Sequence, residues 1–197
     1  MAAHMPELIV LDADAWRRWL GENHADPTGV WLVLAKKGIT LPTSLSHEQA
    51  LDEALCHGWI DGQTATRDDL TYRQRFTPRR SRSRWSARNV GSIGRLREEG
   101  RMHPAGEAEV ERAQGDGRWG AAYAGSASSE IPPDLAAALG AQPAAQAMFE
   151  ILTSQNRYAI LFRISDARLP ATRERRINQF VAMLARGETV YPQKRTL

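Results

Sequence analysis

Residues 70–77 alternate strictly in character, and this alternation constrains the fold more than any other stretch of the chain. Leu70, Tyr72, Gln74 and Phe76 fall on one face of an extended segment, and Thr71, Arg73, Arg75 and Thr77 on the other. A period of two is the signature of a half-buried strand, here with a basic outer face. Arg73 and Arg75 then point the same way, roughly 7 Å apart along the strand.

Other elements follow from local chemistry. Residues 12–23 read as a helix, with Asp12 or Asp14 as N-cap and Trp16, Trp19 and Leu20 at helical spacing. Residues 30–35 (VWLVLA) read as a buried strand, with a second, shorter extended piece at 39–41. Ser46 and Gln49 have capping-box spacing and open a helix that ends near His57-Gly58. Trp59-Ile60 starts a strand that Asp61-Gly62 breaks. After Pro78 the arginine-serine run 79–84 reads as a loop, and Ser83 or Ser86 starts a helix. A further helix covers 104–114 and stops at Gly115-Asp116-Gly117. Residues 125–133 read as a linker. Helical segments then follow at 135–139, with Pro143 in the first turn of the next, and at 144–164. After a short connection at 165–170 comes the helix 170–186, in which Ile177, Phe180, Val181 and Leu184 form one apolar stripe.

The fold class expected is α+β: a small N-terminal sheet with flanking helices, followed by a helical C-terminal region. Residues 6–84 form the α+β part, 85–125 a helical connection and 134–190 the helical part, together making one compact unit. The 197 residues suffice for one sizeable core or two small lobes. Trp16, Trp19, Trp31, Trp59, Trp85 and Trp119 are many for this length and are expected mainly in the core. Met1–His4 read as an expression-vector remnant and carry no fold argument.

Cys56 is the only cysteine, so neither an intrachain disulfide nor a cysteine-based zinc site can form. That usage fits a reducing compartment. No apolar run approaches the ~20 residues of a bilayer span, and no charged and apolar leader pattern opens the chain. The location expected is cytoplasmic. His24, His47, His57 and His103 lack ligand-like spacing, and no glycine-rich phosphate loop occurs. No metal or cofactor is therefore expected.

Charge is concentrated. Residues 67–101 hold eleven arginines against four acids, a net +7 in a chain of net +3, so the remainder carries a net −4. Residues 70–97 contain nine arginines and no acid. Guanidinium groups suit phosphate and carboxylate recognition. Tyr72, Phe76 and Trp85 lie among them and can stack on bases or sugars. The candidate ligand-binding residues are Arg73, Arg75, Arg79, Arg80, Arg84, Trp85 and Arg88. The competing structural reading pairs these arginines with acids such as Glu107, Glu109 and Glu111.

Six motifs in order carry a resemblance: ALCHGWIDG at 54–62, YRQRFTPRR at 72–80 with Trp85-Ser86, EGRMHPA at 99–105, DGRWGAAY at 116–123, NRYAILFRI at 156–164 and INQFVAMLARGE at 177–188. Over 8–193 the chain resembles the bacterial YdeI/OmpD-associated family. The resemblance implies an α+β N-terminal region, a helical C-terminal region and a role in bacteriocin protection or resistance to cationic antimicrobial agents. It brings no catalytic mechanism with it.

Three functions follow as expectations. The first is a non-enzymatic stress-protection protein that binds an anionic small molecule, polymer or protein partner through 73–88. The second is an enzyme with a pocket near His57, Trp59 and Asp61, in which Asp61 orients Arg73 or Arg75. Cys56 beside His57 invites a nucleophile reading, against which stands its place on an apolar helix. The third is a nucleic-acid-binding accessory protein, although no defined binding motif is present.

Overall fold

The computed structural model describes residues 5–123, 125, 130–167 and 169–195. Residues 1–4 lie outside them, as do parts of the stretches 125–133 and 165–170 that were read as a linker and a connection. The architecture is α+β, and the chain divides into two compact units, 1–122 and 123–197.

The first unit is built on a four-stranded sheet of order β1-β2-β4-β3. Its strands are β1 (Glu7–Leu8), β2 (Val30–Ala35), β3 (Trp59–Thr66) and β4 (Thr71–Pro78). β1 runs parallel to β2, and β4 pairs antiparallel with both β2 and β3. Tyr72, Gln74 and Phe76 stand opposite Leu34, Leu32 and Val30, so these side chains share a face. Helices α1 (Ala13–Asn23) and α2 (His47–Cys56) cover that face. Trp16 of α1 meets Phe76 at 5.7 Å and Trp59 at 6.2 Å between ring centroids, and its indole N–H donates to the Ala50 carbonyl of α2.

Each of the first unit's four helices starts where a side chain satisfies free backbone N–H groups. Asp12 accepts from the Ala15 N–H, and Ser46 and Gln49 close the capping box in both directions. Ser86 caps α3 (Ala87–Glu98) through the Asn89 N–H. His103 caps α4 (Pro104–Gly115) through the Ala105 N–H. Residues 85–125, read as a helical connection, include α3 and α4, and Trp85, Ile93, Leu96, Val110 and Ala113 lie in the first unit's core.

Three local expectations change. Residues 39–41 form no strand, and the Ile39 N–H is instead taken by the Lys36 carbonyl in a turn. β3 continues through Asp61-Gly62, since the register shift between Asp61 and Thr64 absorbs the glycine as a bulge. Gln74 stabilises that bulge by donating to the Gly62 carbonyl and accepting from the Thr64 hydroxyl. The segment 144–164 is two helices, not one. Thr153 caps a new start, while buried Leu152 carries the apolar pattern across the break.

The second unit holds α5 (Pro133–Gly140), α6 (Pro143–Glu150), α7 (Ser154–Ser165) and α8 (Pro170–Ala185). α8 packs against the other three, burying Ile177, Phe180 and Leu184. After α8 the chain is held by Asn156, which is fully buried. Its amide donates to the Tyr191 carbonyl at 3.0 Å and accepts from the Tyr191 N–H at 2.8 Å, as a strand neighbour would. No helix of the described residues is long and apolar enough to cross a membrane.

The contact of α4 with the end of α2 depends on two glycines. Gly58 ends α2 at φ +77°, and a Cβ on Gly106 would stand 2.1 Å from the Cys56 carbonyl oxygen. Backbone on both sides leaves no flexible atom to yield. Gly106→Ala should therefore cost roughly 2–3 kcal/mol, in the range of core overpacking, read as a lower midpoint in chemical denaturation. Gly91→Ala, with open space around it, is the control expected to leave the midpoint unchanged or raise it.

Candidate functional site

β4 carries arginines on the face opposite α1 and α2. Arg73 and Arg75 register with Val33 and Trp31. The Arg73 guanidinium lies over the Trp31 ring at 5.7 Å and reaches Glu7 at 3.5 Å. Val33 is fully buried on this second face. The Arg75 stem passes over Gly62 of β3, where a Cβ would meet it at 3.6 Å. Among the described residues Arg75 has no carboxylate partner, and its Nε is buried without a hydrogen bond.

Beyond Pro78 the loop is held in a defined shape. The Arg79 N–H donates to the Gly58 carbonyl, and the Arg79 guanidinium donates to the Arg84 carbonyl while lying 3.5 Å from the Trp85 ring centroid. Trp85 packs edge-on to Trp119 at 4.9 Å. Ser83 accepts from the Arg80 N–H through its hydroxyl and from Arg118 through its carbonyl. Arg79 and Trp85, both candidates from sequence, are thus 5% and 1% exposed and shape the loop. Arg80, Arg82 and Arg88 are exposed and have no carboxylate partner among the described residues; Arg84 is half-buried.

The other arginines of the basic segment have acids. Arg67 meets Glu7 and Asp68, Arg95 meets Asp52 and Glu99, and Arg97 meets Glu107. Arg101 donates to Glu53 at 2.6 Å and to Glu99 at 2.8 Å. Glu53, only 1% exposed, also takes two hydrogen bonds from Arg17, at 2.7 and 2.8 Å. Burial alone would push its carboxyl up. The hydrogen bonds from Arg17 and Arg101 outweigh burial and hold it below the ordinary carboxylate range.

The pocket expected near His57, Trp59 and Asp61 is arranged differently. Asp61 stands opposite Phe76 on the helix-covered face and meets His47 at 3.0 Å, while Arg73 and Arg75 lie on the other face. Asp61 therefore does not orient either arginine. Trp59 is fully buried, with its indole N–H on the His24 carbonyl. Cys56 is fully buried too. Burial, reinforced by Glu53, pushes its thiol up to about 12, so it is neutral at physiological pH and packs as a small apolar residue.

His57 has neighbours that spacing along the chain does not reveal. Its ring stacks on His103 at 4.9 Å, and His103 lies 4.9 Å from His24. The three rings form a row, and no group of three or more His, Cys, Asp or Glu among the described residues converges as a metal site would. His57 Nδ1 lies 2.9 Å from the Glu53 carbonyl. Two further features were missed for the same reason. Trp31 joins Arg73 only through cross-strand pairing, and Glu53 is an acid inside an apolar helix face.

Two family comparisons agree with the division into units. Residues 8–109, slightly more than half of the chain, match the domain of unknown function DUF8412, and residues 128–187 match the family described as Bacteriocin-protection, YdeI or OmpD-Associated. The chain belongs to the DUF8412 family and carries a YdeI/OmpD-associated domain in its C-terminal part. The resemblance read over 8–193 is thus matched in its C-terminal portion, at 128–187. No curated protein and no solved structure matches the chain.

Burial lowers the His57 imidazole from its ordinary value, with His103 and His24 adding to the effect and the bond to the Glu53 carbonyl opposing it. A buried neutral histidine binds fewer protons than the unfolded chain as pH falls below roughly 6.5. Stability should fall from that pH towards the lower folded value. Glu53, also depressed, adds its own loss only below roughly 4.3. Thermal unfolding followed by circular dichroism should show a shallower decline as pH falls below about 6.5 in His57→Gln, with the acid limb below about pH 4.3 retained.

Proposed function

We propose that the protein acts by binding an anionic ligand or partner through the second face of the sheet and the adjoining loop, with no chemical step. One observation carries this reading. The acids near the basic segment pair with Arg67, Arg95, Arg97 and Arg101, whereas Arg75, Arg80, Arg82 and Arg88 have no carboxylate partner among the described residues. Permanently charged, fork-shaped donors suit phosphate, sulfate or carboxylate groups, and Arg75, opposite Trp31 in the register, has the Trp31–Arg73 stack beside it. The hydrogen bonds around Ser83 and the stacking of Arg79 on Trp85 hold the loop in place before any ligand arrives, which lowers the ordering cost of binding. Protection from a bacteriocin or another stress then follows from engaging an anionic partner inside the cell.

The test is thermal stability across a panel of phosphate, sulfate, nucleotides, sugar phosphates and short single-stranded DNA. A selective ligand at about 100 times its Kd stabilises by about 2.7 kcal/mol. Arg75→Ala and Arg82→Ala should remove that gain while leaving the unliganded midpoint nearly unchanged. Arg97→Ala, which breaks the pair with Glu107, should lower the midpoint but keep the gain. Uniform shifts across the panel, or a gain untouched by Arg75→Ala and Arg82→Ala, would reject the proposal.

A further inference from the structure

The second unit contains a cleft that the anion-binding reading does not use. Its volume is about 330 Å³, at the small end of the roughly 300–1,000 Å³ typical of small-molecule sites. Gln155, Tyr158, Ala159 and Phe162 line it from one face of α7, spaced as i, i+3, i+4 and i+7. Ala159, between larger neighbours, leaves the floor low. Tyr158 and Phe162 lie 5.7 Å apart at a tilt. The opposite wall is Tyr191, from the chain after α8.

Tyr191 is placed with unusual definition for a residue outside a helix or strand. The buried Asn156 amide binds both its N–H and its carbonyl. Gln193, two residues on, accepts from the Thr153 N–H and from Asn156. The wall is therefore preformed, and a ligand need not order it.

Arg163 supplies the polar element. It donates to the Ala159 carbonyl at 3.0 Å, and its guanidinium lies 5.9 Å from the Tyr191 ring centroid. Among the described residues it has no carboxylate partner, unlike Arg173 and Arg176 of α8, which meet Asp134 and Asp166. A half-buried cation without a carboxylate, at the rim of an aromatic cleft, calls for an anionic group on whatever fills it.

We infer that this cleft binds a small aromatic carboxylate, its planar body between Tyr158, Phe162 and Tyr191 and its carboxylate on Arg163. The site uses neither Arg75 nor the loop arginines, and it assigns the second unit a ligand class of its own.

The probe is 2-naphthoate, compared with neutral 2-naphthamide, followed by NMR on the full chain and by calorimetric titration. Naphthoate should perturb the ring resonances of Tyr158 and Tyr191 and bind at least about tenfold tighter than the amide, a difference of about 1.4 kcal/mol. Arg163→Gln should bring naphthoate down to the affinity of the amide, and Arg163→Lys should restore part of the difference. Tyr191→Ala should weaken both probes together. The inference fails if neither probe perturbs these rings, if the perturbation lies at Trp31, or if the preference for carboxylate survives in Arg163→Gln. Arg75→Ala should leave naphthoate binding unchanged, so failure here is separable from failure of the anion-binding reading.

Discussion

The carboxylate of Glu53 is the constraint on which the first unit depends. It sits on α2 with 1% exposure and is held by Arg17 of α1 and by Arg101, just after α3. A buried charge costs several kcal/mol in lost hydration, which only close hydrogen bonds offset. Removing either arginine would leave that cost exposed, so α1, α2 and the end of α3 must stay in register. Asp52, the preceding residue, extends the network to Arg95. The helical layer is therefore joined by ion pairs along its rim as well as by the Trp16, Trp59 and Phe76 packing beneath it.

That network also explains why the arginines differ from one another. Guanidinium groups are abundant between 67 and 101, but acids are placed to reach only some of them. Arg95, Arg97 and Arg101 lie on or near helices that pack together, where carboxylates from α2 and α4 meet them. Arg75, Arg80, Arg82 and Arg88 project from a sheet face, a loop and the first turn of a helix. The same residue type is structural in one group and available in the other, and the difference lies in which element carries it.

Much of the fold was legible because local signals agreed with tertiary structure. Ser46 with Gln49, Asp12, and the alternation of 70–77 each marked an element that forms as read. The misses have physical causes. β1 has two residues, too few for any period. Leu152 continues the apolar pattern through the break at Thr153, so periodicity could not see two helices. At the site, the basic face of β4 was readable, but its pairing with Trp31 was not. The run 30–35 is apolar on both sides, which hides the alternation that would separate Trp31 and Val33 from Leu32 and Leu34. Asp61 and Arg73 seemed close in the sequence because both flank one hairpin, yet strand parity sends them to opposite faces. The histidine row and the Asn156 clamp join residues from distant parts of the chain and leave no local trace.

The aromatic residues are divided between the units in a way that bears on how the molecule can be observed. All six tryptophans lie before residue 123, and Trp16, Trp19 and Trp59 are in mutual contact. The second unit has only tyrosine and phenylalanine as its aromatic rings. Light absorbed at the red edge of the indole band is thus taken up by one half of the chain alone. Emission excited there reports the state of the sheet and its helices and is silent about the four-helix unit, so the chain carries a built-in optical label for one of its two bodies.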